Sequence, residues 1–178
     1  SLAIKEELGD KAGMGQSLNN IGNVHSDKGD LDTALDYYGK SLAICEELGD
    51  KRGMLITLNN IGIVHADKGE YNKAAEHLEK SLAIHKEIGL KGLELETTTS
   101  LYLSYKHLGK DYDVNEINNL ITDAEDIEYE LNFRLYELLE DSSYLETAYK
   151  QVQDKASEMD DGKKFLSYPI PKAIVEAW

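Results

Sequence analysis

Between residues 50 and 89 the apolar positions fall at helical intervals. Met54, Leu55, Leu58, Ile61 and Val64 form one stripe, mostly at steps of three, and Ala74, Ala75, Leu78, Leu82 and Ile84 form a second. Such stripes bury one face of a helix, whereas a half-buried strand alternates at every second residue. Gly49, Gly69 and Gly89 punctuate the pattern; glycine after an apolar stripe stops a helix because it enters the left-handed region without a steric penalty. The pattern predicts helices over about 52–68 and Tyr71–Ile88, with Asp50 as the N-cap of the first. The same plan is laid down earlier, over about 10–28 and Leu31–Leu48. Residues 1–40 and 41–80 align without a gap and agree at 24 of 40 positions, and a third block opens as SLAIHKEIG at Ser81 before it decays. A fixed period of this size marks a stacked array, in which one helix pair buries its apolar face only against its neighbours.

The organisation follows from that period. Residues 1–9 read as the end of a preceding second helix, which points to a fragment cut from a longer array. Its Leu2, Ile4 and Leu8 predict weak self-association through the open end. Complete units follow at 10–49 and 50–89, a degenerate unit at 90–126, a degenerate helical pair at 127–162 and a cap at 163–178. In the degenerate unit Tyr102 stands where Gly22 and Gly62 stand, and Val114 where Ala34 and Ala74 stand. Ile117, Leu120, Ile121, Ala124, Ile127, Leu131, Leu135 and Leu138 keep a helical period; two helices with a turn near Glu125 and Asp126 are preferred to one. A helix over about 144–159 comes next. In the tail, Pro171 begins a short helix, and Phe165, Ile174, Val175 and Trp178 are expected to fold over the last exposed face.

Leu18, Ile21, Gly22, His25, Gly29, Ala34, Tyr38 and Leu42, restated as Leu58, Ile61, Gly62, His65, Gly69, Ala74, Leu78 and Leu82, resemble the signature of the tetratricopeptide repeat. The period is similar to the forty-residue variant in kinesin light chain, in the Pins/LGN spindle-orientation proteins and in many bacterial signalling proteins. The resemblance implies an all-α fold, a right-handed α-solenoid of antiparallel helix pairs closed by a C-terminal capping helix. It also implies that the first helix of each pair lines a concave groove. Groove positions of the family fall on Gln16, Asn19, Asn20, Asn23, Ser26 and Asp27, then Ile56, Asn59, Asn60, Ile63, Ala66 and Asp67, then Glu96, Thr99, Ser100, Leu103, Lys106 and His107. The family's contact to a peptide main chain maps onto Asn20 and Asn60, with Ser100 in the third unit. Asn19, Asn59 and Thr99 occupy positions where the family's carboxylate clamp requires a base, so that clamp is not expected.

The asparagines also stand out on physical grounds. Asn19, Asn20, Asn59 and Asn60 lie mid-helix, where asparagine is about 0.6 kcal/mol worse than alanine and too far inside to cap. A carboxamide offers donors and an acceptor, so it can pair with a bound backbone. Hydrogen bonding from helix to helix inside the array is the competing explanation.

Composition narrows the functional classes. The 178 residues are 41 % hydrophobic and 30 % charged, enough for a core built as a line of nearest-neighbour contacts. The net charge is −15, and residues 111–161 hold 16 Asp and Glu against Arg134, Lys150 and Lys155. An acidic field argues against nucleic acid and against anionic membranes, both of which need a basic footprint; it fits either a solvated surface or a site for a basic partner. No apolar run is long enough to span a bilayer and no signal peptide is visible. The lone Cys45, equivalent to Lys5 and His85, reads as a surface or boundary residue in a reducing, cytoplasmic setting. Equivalent His25 and His65 lie too far apart to share an ion and read as packing groups. No phosphate loop, HExxH, CxxC or nucleophile elbow occurs, so neither catalysis nor a cofactor is expected. The expected function is a protein-interaction scaffold in a larger signalling or regulatory protein. The alternatives are a spacer or self-association module without groove ligand, and a sensor of a small ligand or signalling peptide.

Overall fold

The computed structural model describes residues 10–89, 93–124, 126–159 and 162–178. The described residues run α1 (Lys11–Asp27), α2 (Leu31–Leu48), α3 (Lys51–Asp67), α4 (Tyr71–Ile88), α5 (Glu94–Leu108), α6 (Val114–Thr122), α7 (Tyr129–Leu139), α8 (Ser142–Glu158), α9 (Gly162–Phe165) and α10 (Pro169–Ala177), with no strand among them. Helices pack in consecutive pairs, α1 on α2, α3 on α4, α5 on α6 and α7 on α8; α1, α3, α5 and α7 also touch one another in succession. The chain is an all-α solenoid, and its first helices follow one another along one face.

Sequence repetition becomes bond repetition. Asp10 and Asp50 accept hydrogen bonds from the amides of Gly13 and Gly53 at 2.8 and 3.0 Å, satisfying donors that the first turn leaves open. The buried hydroxyls of Ser41 and Ser81 donate to the carbonyls of Gly15 and Leu55 at 2.8 and 2.9 Å, which locks each second helix to the first helix of its own pair in the same register. Gly22 and Gly62 let the two helices of a pair close up: a Cβ there would lie 2.5 Å from the Tyr38 ring or from Leu78 Cγ. His25 packs on Tyr37 and pairs with Asp30 at 3.0 Å, while His65 packs on His77 and pairs with Glu70 at 2.6 Å. Each imidazole thus ties the end of a first helix to the N-cap of the second. Cys45 corrects its expected place: it is buried, as is the equivalent His85, because Gly15 and Gly53 leave room for it. Burial pushes its thiol up.

The third pair departs from this plan. Tyr102 stands buried where glycine permits close approach elsewhere, and Val114, equivalent to the fully buried Ala34 and Ala74, is 43 % exposed. Helix α6 has only nine residues, anchored by the fully buried Ile117. It ends at Thr122 and α7 begins at Tyr129, so two helices occupy this stretch; Glu125 of the expected turn lies outside the described residues, as do residues 1–9 with Leu2, Ile4 and Leu8.

In the tail, Phe165 and Ile174 are buried with Tyr129, Ala148 and Val152. The expected cap is corrected in its membership. Trp178 is 57 % exposed and only stacks on Tyr149 at 5.3 Å, and Val175 is also exposed. Both follow from α10 turning one face, Pro171 and Ile174, toward α8 and leaving the other outside.

Candidate functional site

The inner face of the array bounds a cavity of about 1030 Å³. One side is contributed by α1, α3 and α5 through Asn23, Asp27, Asn60, Ile63, Asp67, Ser100 and Leu103. Most of the rest comes from the C-terminal half, through Tyr129, Phe133, Arg134, Lys155, Tyr168 and Pro169 among others. The chain end returns to its first described pair: a Cβ on Gly29 would meet Pro169 Cγ at 2.8 Å. A Cβ on the equivalent Gly69 or Gly109 would meet nothing within 4 Å among the described residues. The tail therefore bridges the groove at one turn of the array.

The expected groove residues separate into three groups. Asn23, Asp27, Asn60, Ile63, Asp67, Ser100 and Leu103 line the cavity. Asn19 and Asn59 sit instead in the seams between first helices. Asn19 Oδ1 accepts from Thr57 Oγ1 at 3.4 Å and from Asn60 Nδ2 at 3.2 Å, and the buried Asn59 Oδ1 accepts from Thr97 Oγ1 at 2.8 Å. Asn20 is exposed and lies outside the cavity lining. Asn60 serves both sides, since its amide also donates to Asn23 Oδ1 at 3.1 Å, and Asn23 in turn accepts from the Tyr38 hydroxyl at 2.8 Å.

The electrostatics centre on residues from the C-terminal half. Arg134 is buried, and its guanidinium lies 3.5 Å from the Asp67 carboxylate. Burial raises the Asp67, Glu96 and Glu137 carboxyls above the usual range, and Arg134 offsets this in each case without cancelling it. Glu130 pushes Glu96 up further. At the other end of the cavity burial also raises Asp27, against the opposing charge of Lys155. Asp27, Asp67 and Glu137 still meet water, but the surrounding protein displaces enough of it to disfavour the ionised form. The Lys155 ammonium sits over the rings of Tyr129 and Phe165, at 4.8 and 5.6 Å, an arrangement attractive to a cation.

Arg134, Tyr129, Lys155 and Pro169 had not been expected at the site. One signal pointed to the arginine: it falls on the apolar stripe of Leu131, Leu135 and Leu138, where a charge needs a buried partner. Among the described residues no group of three or more His, Cys, Asp or Glu could hold a metal ion, and no helix is long and apolar enough to cross a membrane.

A stack of helix pairs whose first helices line a concave cavity defines a repeat scaffold, a class built to present a surface. The family model of the tetratricopeptide repeat matches residues 13–87. This part of the chain belongs to the tetratricopeptide repeat family, whose members generally mediate protein–protein interactions and are typically non-catalytic. No curated protein matches the chain.

Proposed function

We propose that the chain is a non-catalytic scaffold, part of a larger cytoplasmic signalling or regulatory protein, that holds a segment of a partner protein on its concave face. The observation that carries this is the convergence of Asn23, Asn60, Ile63, Ser100 and Leu103, from three successive first helices, on one cavity of about 1030 Å³. That size is at the upper end for sites that enclose a ligand, and its wall alternates apolar side chains with groups able to pair with a bound main chain. Asn60 and Ser100 are the main-chain contacts in this proposal; Asn19, Asn20 and Asn59 are left out of it.

The test is selection from a random peptide library followed by titration against the chain and two variants. Asn23→Trp fills the cavity from an exposed position, and Lys40→Ala alters the outside of α2. Selected peptides should lose at least about tenfold in affinity, 1.4 kcal/mol, with the first and nothing with the second. A library that yields no binder, or binders indifferent to Asn23→Trp, overturns the proposal in favour of a spacer.

A further inference from the structure

We propose that the partner segment the cavity receives is cationic, an extended stretch carrying lysine or arginine. This rests on the reading that the concave face takes a partner segment, and adds its chemical class. Among the described residues, seven Asp and Glu line the cavity against Arg134 and Lys155. A cleft walled by one sign of charge focuses its field and concentrates the opposite charge. The wall is also under-compensated. Arg134 is shared among Asp67, Glu96 and Glu137, and all three carboxyls remain above their ordinary range despite it. A guest cation entering here would stabilise ionised carboxylates that Arg134 alone does not compensate.

Two observations independent of the carboxylates point to a ligand on this wall, and the second of them to a cation. The Ser100 hydroxyl is buried, lines the cavity and has no hydrogen-bond partner among the described residues. A buried orphan hydroxyl carries a desolvation cost that a ligand's carbonyl, amide or ammonium would relieve. It comes from the third first helix, forty residues after Asn60, so it continues the line of groups facing a bound chain. The second observation is the seat of Lys155. Its ammonium already rests over Tyr129 and Phe165, which shows how this wall holds a cation whose apolar stem packs on aromatic faces. Phe133 and Tyr168 extend the aromatic wall.

The experiment titrates three fluorescent peptides of equal length, one with lysine at alternate positions, one with glutamine and one with glutamate there, against the full chain. The lysine peptide should bind at least about tenfold more tightly than the glutamine peptide and lose at least about tenfold with Glu96→Gln/Glu137→Gln. It should keep its affinity with Glu46→Gln/Glu146→Gln, which removes the same charge from exposed positions outside the cavity. Equal losses in both double variants would assign the binding to the overall charge of the chain and overturn the inference. Glutamine or glutamate peptides binding as tightly as lysine would overturn it too, while leaving the concave-face reading standing. Failure of all three peptides together with an empty library selection would remove both.

Discussion

Residues 10–89 and residues 93–178 are built on the same plan of paired helices, but different contacts hold them. In the first region the contacts that set the pairs recur, as with Ser41 and Ser81, Asp10 and Asp50, or Gly22 and Gly62. In the second almost every contact is made once: Tyr102 to Glu116, Arg134 to Asp67, Asn132 to Gln151, and Phe165 and Ile174 against Tyr129 and Val152. Repeated small residues build a regular stack, in which each pair answers only to its neighbours. Large and charged residues used once bring the chain end back across the groove and place charge inside it. The regular half supplies the surface; the irregular half turns that surface into a cavity.

The largest expected effect tests whether the tail belongs to the fold. Ile174 is fully buried, so Ile174→Ala should lower stability by about 3 kcal/mol, while Trp178→Ala, from a side chain 57 % exposed, should cost less than about 1 kcal/mol. Urea unfolding with both variants at wild-type stability would show that the tail does not contribute to the cavity wall.

Next in size is the link between the halves. Arg134→Met leaves Asp67, Glu96 and Glu137 without their shared cation. Stripping one partner from a buried pair can cost about 3–5 kcal/mol. Here the separation is 3.5 Å and the Asp67 side chain is 33 % exposed, so about 2 kcal/mol is expected. Adding Asp67→Asn should recover part of the loss in thermal unfolding. A double variant less stable than the single one would contradict the pairing.

Smaller, and opposite in sign within one repeat type, are two asparagine substitutions. Asn59→Ala removes the bond from Thr97 that joins two first helices, leaves that hydroxyl its Leu93 carbonyl at 2.9 Å, and empties a buried site, so it should destabilise by about 1 kcal/mol. Asn20→Ala, at an exposed helical position, should stabilise by about 0.6 kcal/mol. The same sign for both would mean that seam and surface are wrongly assigned.

The last effect is read as a difference with pH. Burial raises the Glu96 carboxyl in the folded chain. The stability this group contributes is therefore complete below the ordinary carboxylate range and is lost as pH rises through the raised value. Glu96→Gln keeps a polar group beside Asn59 without the charge, so its melting temperature should gain on the parent between acidic and neutral pH. A constant difference across that interval would contradict desolvation of Glu96.

What could be read from the sequence divides along the same line. The helix pairs, their stops at Gly49 and Gly89 and the small contacts at Gly22 and Gly62 were legible because the second block restates the first. The groove was legible at Asn23, Asn60, Ile63 and Asp67, which share the inward side of α1 and α3. Asn19 and Asn59 were not separable from Asn20 and Asn60. Neighbouring helical residues point about 100° apart, and both recur with the period, so repetition alone cannot say which faces the next helix. The return of Pro169 to Gly29 was out of reach. It depends on small rotations summed over the array and on contacts such as Arg134 to Asp67, made once between residues far apart in sequence.

The C-terminal segment closes the concave face, and the approach of Pro169 to Gly29 expresses this most directly. Nuclear Overhauser effects measured on the labelled chain in solution should connect the Gly29 α-protons with the Pro169 ring, alongside the effects that join α1 to α3. A spectrum that retains the α1–α3 contacts but shows no transfer between Gly29 and Pro169 would contradict it.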